Sequence, residues 1–217
     1  MLDVNKIHFI LAVVDDIGSL IDDINHLLTN HQERYKLEEP RYYSKKLAAP
    51  DRYDSREIVF IKRLLQKELE PELRRKITAH LFEKYVSKDE ASFSRELYMN
   101  TEHIKCLVNN GMYVGGHGYD HFWLDQLPCE QQEKEIEQIL NFLNEIGSPT
   151  EQWIMCYPYG AYNDPLIKLL KQKNCSVGLT TNVGKAQLTP QNAFTLERFD
   201  TNDLQKMIAG KPNVISG

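Results

Sequence analysis

The sequence predicts an α/β protein with a helical amino-terminal half and a carboxy-terminal half that alternates strands with helices. Three observations carry this reading. Up to residue 110 the apolar side chains recur at intervals of three and four, the helical period. Beyond it, short apolar runs alternate with amphipathic stretches, the pattern of parallel βα units. Two of those runs end in glycine-bearing loops, and folds of this kind carry their chemistry in loops at the carboxyl ends of strands.

Val4, Ile7, Leu11 and Val14 mark a first helix, with His8 on the same stripe. Ser19 is the expected cap of a second, with Leu20, Ile21, Ile24, Leu27 and Leu28 inward. A polar, aromatic-rich loop is expected from Asn30 to Asp54, broken by Pro40 and Pro50, with Tyr42, Tyr43 and Tyr53 packing it down. Ser55 precedes a helix bearing Ile58, Ile61, Leu64 and Leu65, and Pro71 opens another bearing Leu73, Ile77, Leu81 and Tyr85. Asp89 and Asn100 each start a shorter helix. Strands are then expected at Met112–Val114, Trp153–Tyr157, Ser176–Thr180 and Phe194–Phe199. Helices are expected at Glu130–Ile146, Pro165–Lys173 and Asn202–Ala209. The boundary falls between a helical lobe, residues 1–99, and a βα core, residues 100–217.

The 217 residues carry 26 Lys and Arg against 31 Asp and Glu, a net charge of -5, so nothing favours nucleic acid as a partner. No run of about 18 apolar residues offers a membrane span. The start, Met1 to Ile10, lacks the basic and apolar segments of a signal peptide, which makes the cytoplasm the expected compartment. The cysteines at 106, 129, 156 and 175 form no C-x-x-C pair and read as reduced thiols.

The strongest chemical signal is Gly115-Gly116-His117-Gly118-Tyr119-Asp120-His121, directly after an expected strand. Two histidines with three residues between them can turn both imidazoles onto one divalent metal, and neutral imidazole suits zinc. A polar loop with solvated histidines is the alternative. Asp120 is placed either to orient an imidazole or to face water. The next strand ends in Cys156-Tyr157-Pro158-Tyr159-Gly160-Ala161-Tyr162-Asn163. Its Pro and Gly permit a tight turn whose backbone N–H groups could stabilise an oxyanion. The alternative is a plain turn into the following helix.

Together the two loops resemble the polysaccharide deacetylase family, the NodB-homology carbohydrate esterases. That family has an H-x3-H motif, here His117 and His121, and then R-x-P-Y-G, here Cys156 to Gly160, followed by a helix. Residues 176–180 and Leu196–Asp200 are similar to its last two strands, with Arg198 where insertion-bearing members often have an Arg. The resemblance covers residues 100 to 205 and implies an incomplete, distorted (β/α) barrel, with 1–99 as a helical insertion. It implies hydrolysis of N-acetyl or O-acetyl groups on a saccharide, with a divalent metal, most often zinc, on His117 and His121. Tyr159 would offer its N–H to the oxyanion, and Arg198 would stand in for a general acid. Trp123, Pro158 and Gly160 would contact the N-acetylated saccharide.

The family's T-F-D-D-G motif, which supplies a ligand Asp and a base Asp, has no match. The nearest string, Val14-Asp15-Asp16-Ile17-Gly18, has an extra residue and lies in a helical pattern, where an aspartate pair opening a turn explains it. Cys156 replaces the motif Arg, and no His follows His121 to supply the late general acid. The chain therefore reads as a family member shortened at its amino end by two strands and two aspartates. A homo-oligomer could cover the sheet edge so exposed. Two protein ligands where catalytic zinc normally has three predict weak metal binding. Three readings stay open: a deacetylase, an inactive homologue that binds glycan or protein, and a helical interaction module.

Overall fold

The structure is a computed structural model and describes residues 1–50 and 54–204. Two compact units are distinguished, Met1–Met99 and a second beginning at Asn100.

In the amino-terminal unit α1 (Asp3–Val13), α2 (Ile17–Tyr35), α3 (Pro40–Leu47), α4 (Arg56–Arg63), α5 (Pro71–Tyr85) and α6 (Glu90–Leu97) surround one apolar cluster. Leu20, Ile24, Leu64, Leu73 and Leu81 are fully buried in it, each from the inner stripe of its helix. Truncating one such leucine to alanine typically costs about 2–5 kcal/mol. Ser55 and Asp89 cap α4 and α6, accepting from the Ile58 and Ser92 N–H groups. The buried Lys6 ammonium is neutralised by Glu90 at 2.9 Å, tying α1 to α6.

Two expectations for this unit are corrected. Asp16, not Ser19, caps α2: its carboxylate accepts from the Gly18 N–H at 2.9 Å and from the Ser19 hydroxyl at 2.7 Å. A carboxylate has two oxygens and can hold both donors, so the helix starts earlier than the Ser19 signal suggested. The loop expected from Asn30 to Asp54 is largely helical. The second helix runs to Tyr35, ends on Lys36 in the left-handed region (φ 51°), and α3 begins on Pro40. Pro40 sits at the first helical position, where its missing N–H has no partner to lose. Tyr43 is buried, and its hydroxyl accepts from the Glu38 N–H at 3.2 Å. Tyr53 lies outside the described residues.

The second unit opens with α7 (Thr101–Asn109), capped by Asn100 as expected. It continues with α8 (Cys129–Glu145), β1 (Trp153–Cys156), α9 (Asp164–Gln172), β2 (Cys175–Val183) and β3 (Leu196–Arg198). The strands form a parallel sheet in the order β1-β2-β3. Trp153 and Met155 alternate inward along β1 and join Ile136, Leu143, Leu166 and Leu170 in a second core. The fold class is therefore mixed helix and small parallel sheet. Residues 201–204 are helical; the rest of the helix expected over Asn202–Ala209 lies outside the described residues.

Met112–Val114 does not form the expected strand. Its pairing reduces to a parallel bridge between Gly116 and Met155. Side chains take the ladder groups: the Ile154 N–H donates to the Tyr113 hydroxyl at 2.7 Å, and the Val114 carbonyl accepts from the Ser148 hydroxyl at 2.7 Å. Gly116 itself holds the loop to β1, its N–H donating to the Ile154 carbonyl and its carbonyl accepting from the Cys156 N–H. Among the described residues no helix is long and apolar enough to cross a membrane, and all four cysteines are free thiols.

Candidate active site

The loop after Gly116 and the turn after β1 meet at the carboxyl edge of the sheet, because both follow parallel neighbours. The His117 Nδ1 lies 2.9 Å from the Cys156 carbonyl oxygen. A carbonyl only accepts, so Nδ1 carries the hydrogen and Nε2 presents its lone pair. The His121 ring stands edge-on to His117 at 4.8 Å and 79°. Tyr159 packs edge-on to His121 at 4.8 Å and 82° and stacks on Trp123 at 4.6 Å and 6°. The four rings form one continuous aromatic row.

Backbone conformations that side chains rarely adopt make the row possible. His121 and Tyr159 hold φ of 57° and 58°, and Gly118 and Gly160 hold 71° and 69°. Four left-handed residues in two short loops concentrate strain where loops of this kind carry function. The Tyr157 carbonyl accepts from the Gly160 N–H and the Pro158 carbonyl from the Ala161 N–H, each at 3.0 Å, closing the turn around Tyr159. Pro158 is buried.

Arg198 lines a cleft of about 470 Å³ with His117, Cys156, Tyr113, Ile154 and Leu179. Its Nε donates to the Thr180 carbonyl at 2.7 Å, which fixes the guanidinium on the sheet edge. The fold thus brings His117, His121, Tyr159 and Trp123 into contact and sets Arg198 across the same cleft as His117. One face of Trp123 is covered by Tyr159. Asp120 directs its backbone N–H, at 3.1 Å, to the Glu135 carboxylate.

Glu135 escaped the sequence reading. It is 3% exposed on the inner face of α8, and its Oε2 accepts from the Tyr119 and Asp120 N–H groups at 2.8 and 3.1 Å. Burial raises its pKa above the ordinary carboxylate value, opposed by those two hydrogen bonds. Gln132, one turn earlier, donates to the Leu124 carbonyl at 2.7 Å and to the Asn163 side chain at 3.3 Å. The signal available was spacing: Gln132, Glu135, Ile136 and Ile139 fall on one helical stripe.

The imidazole pair fits a divalent metal in chemistry but not in number. Among the described residues no group of three or more His, Cys, Asp or Glu side chains is arranged to hold a metal ion. Two ligands fall one short of a catalytic zinc set. Asp15 and Asp16 do not fill the gap, Asp16 being occupied as the α2 cap in the other unit.

A mixed α/β protein with histidines and a P-Y-G turn at the carboxyl ends of parallel strands defines the class. A family model described as polysaccharide deacetylase matches residues 72–197, more than half of the sequence, and the chain belongs to that family. Over 107 residues it is 25% identical to YxkH of Bacillus subtilis (strain 168), named for polysaccharide deacetylation, covering 49% of this chain and 38% of YxkH. Among solved structures it is similar to the Streptococcus pyogenes deacetylase PplD in complex with acetate, at 26% identity and TM-score 0.44. That match covers 52% of this chain and 51% of PplD. It is also similar to IcaB from Ammonifex degensii, at 25% identity and TM-score 0.43, over 51% and 52% of the two chains. The chain spans about two fifths of YxkH and about half of each solved relative.

Proposed function

We propose that the cleft between His117 and Arg198 is a deacetylase site for an acetylated saccharide, hydrolysing N-acetyl or O-acetyl groups. The observation that carries this reading is the joining of His117, His121, Tyr159 and Trp123 into one ring row beside an Arg-lined cleft. Family membership supports it. The three-stranded sheet is read as part of a distorted (β/α) barrel, with residues 1–99 as a helical lobe added to it.

His117 and His121 would contribute two ligands to a divalent metal, zinc being the natural choice for two neutral imidazoles. Such a metal, when bound, polarises an acyl carbonyl and lowers the pKa of a bound water. The chain's own residues do the remaining work. The Cys156 carbonyl fixes the His117 tautomer and ring orientation. The turn around Tyr159 offers backbone N–H groups to developing negative charge. Arg198 stabilises charge across the cleft, and the Trp123–Tyr159 pair gives a sugar ring an apolar wall.

A second reading, an inactive glycan-binding homologue, is favoured by the missing third ligand among the described residues. Acetate release from N-acetylglucosamine oligomers, with bound zinc measured in parallel, separates the two for wild type and His117→Ala. Acetate release and zinc occupancy that both fall in His117→Ala support the deacetylase. Zinc occupancy independent of His117 overturns the metal assignment, and sugar binding without acetate release selects the second reading.

A further inference from the structure

A second cleft, of about 340 Å³, opens beside β2 and β3, lined by Tyr162, Asn182, Gln187, Asn192, Thr195 and Glu197. Its volume is in the range of small-ligand sites. Its wall is unlike the cleft at His117: three amides, a hydroxyl and a carboxylate face it, with one aromatic ring. Among the described residues no hydrogen bond or ion pair engages the side chains of Asn182, Gln187, Asn192 or Glu197. The backbone beneath is held firmly. The Asn182 N–H donates to the Thr180 hydroxyl at 3.1 Å, the Asn192 N–H to the Thr189 carbonyl at 3.1 Å, and the Thr195 N–H to the Asn192 carbonyl at 2.9 Å. Tyr162 is braced by stacking on Tyr157 at 4.9 Å.

This is a set of uncommitted donors and acceptors on an ordered frame. Each amide offers both a donor and an acceptor, and the carboxylate accepts from two hydroxyls. A ligand that satisfies such a wall must itself donate and accept around a ring, as a polyhydroxylated pyranose does. Its C–H face would meet Tyr162. Glu197 is the charged group of the lining, and no Lys, Arg or His shares it, so phosphorylated or carboxylated ligands are disfavoured. The strands are parallel, so Asn182 near the end of β2 lies at the same edge of the sheet as His117.

We infer that this cleft is a subsite for an uncharged saccharide unit, engaging a ring of the chain other than the one presented to the His117 cleft. The inference rests on the deacetylase reading for the identity of that chain. It makes activity depend on substrate length, because a single sugar cannot occupy both clefts.

The test titrates tri-N-acetylchitotriose into the full-length, isotope-labelled protein and follows the side-chain amide resonances of Asn182, Gln187 and Asn192. Saturable shifts at these amides are expected, with Glu197→Gln and Asn192→Ala each weakening the trimer by about tenfold, the scale of one charge-assisted hydrogen bond. In the same variants kcat/KM should fall for the trimer and hold for the monomer. His117→Ala should abolish acetate release and leave the amide shifts intact. Absent shifts at the three amides in the wild type overturn the subsite, whatever the activity. Shifts that persist in a protein releasing no acetate uphold the subsite and overturn the deacetylase reading instead.

Discussion

The Trp123 and Tyr159 rings stack 4.6 Å apart and within 6° of parallel, while His121 meets the same tyrosine edge-on. Tyr159 is thus the link between the histidine loop and the turn after β1, and it holds this place at a left-handed φ of 58°. Ring and backbone pull in opposite directions. Losing the ring removes two aromatic contacts, each worth about 0.5–1.5 kcal/mol beyond burial. Replacing it by glycine also relieves a backbone cost of about 1–2 kcal/mol. Tyr159→Ala should therefore be the less stable of the two, with Tyr159→Gly higher by about 1 kcal/mol and Tyr159→Phe close to wild type. Urea denaturation measures the order. Equal stabilities for the alanine and glycine variants would remove the strain argument.

Glu135 gives the histidine loop a pH dependence. Burial raises its folded pKa above the ordinary value of 4.5. The folded state then holds a proton that the unfolded chain has already lost, so stability falls as pH rises from about that ordinary value through the raised one. The contribution is fully present below it. Glu135→Gln keeps an acceptor for the Tyr119 and Asp120 N–H groups and removes the ionisation. Its stability should be flatter than that of wild type between acid and neutral pH. Glu135→Ala leaves both donors without this acceptor and should cost about 1–3 kcal/mol at every pH. Urea midpoints across that range decide it; a wild-type slope unchanged in Glu135→Gln would show that another group titrates.

These two residues also mark what the sequence could disclose. The approach of His117, His121 and Tyr159 was legible, because both loops end neighbouring parallel segments and glycines flag their turns. Caps at Ser55, Asp89 and Asn100 were legible too, since a cap is a local contact within four residues. Glu135 was hidden among Glu130, Glu133 and Glu137 on a helix whose acidic residues read as a solvent face. Met112–Val114 kept an apolar strand pattern while its ladder partners went to Tyr113 and Ser148, side-chain bonds from distant residues that no local periodicity records. The α3 helix was missed because Pro40 was taken as a breaker when it opens the first turn.

Asp16 bears on the absent T-F-D-D-G motif. Hydrogen bonds from the Ser19 hydroxyl and from the Gly18 and Ser19 N–H groups hold its pKa below the ordinary 3.8. A depressed folded pKa adds stability above the ordinary value, and that stability is lost as pH falls through the depressed one. Asp16→Ala should lower the thermal midpoint at neutral pH, and Asp16→Ser, a cap without a carboxylate, should restore most of it. Zinc content should be the same in all three proteins. A loss of zinc in Asp16→Ser would return this aspartate to the metal site.

Gly160 tests how tightly the P-Y-G turn is set against β2. A Cβ at this position would stand 2.1 Å from the Thr181 Oγ1 and 3.1 Å from its Cβ, with φ at +69°. Two separable penalties follow for Gly160→Ala. One is the left-handed backbone, about 1–2 kcal/mol for any residue with a Cβ. The other is the clash, which requires Thr181 or the turn to move. The single variant should lose at least about 2 kcal/mol of stability, together with the Trp123–Tyr159 stack that the turn positions. Adding Thr181→Ala removes the hydroxyl and the methyl but leaves the backbone penalty, so the double variant should recover only part of the loss. Denaturation midpoints give the stabilities and near-ultraviolet dichroism reports the stacked rings. Full recovery in the double variant would assign the whole cost to Thr181, whereas no recovery would assign it to the backbone.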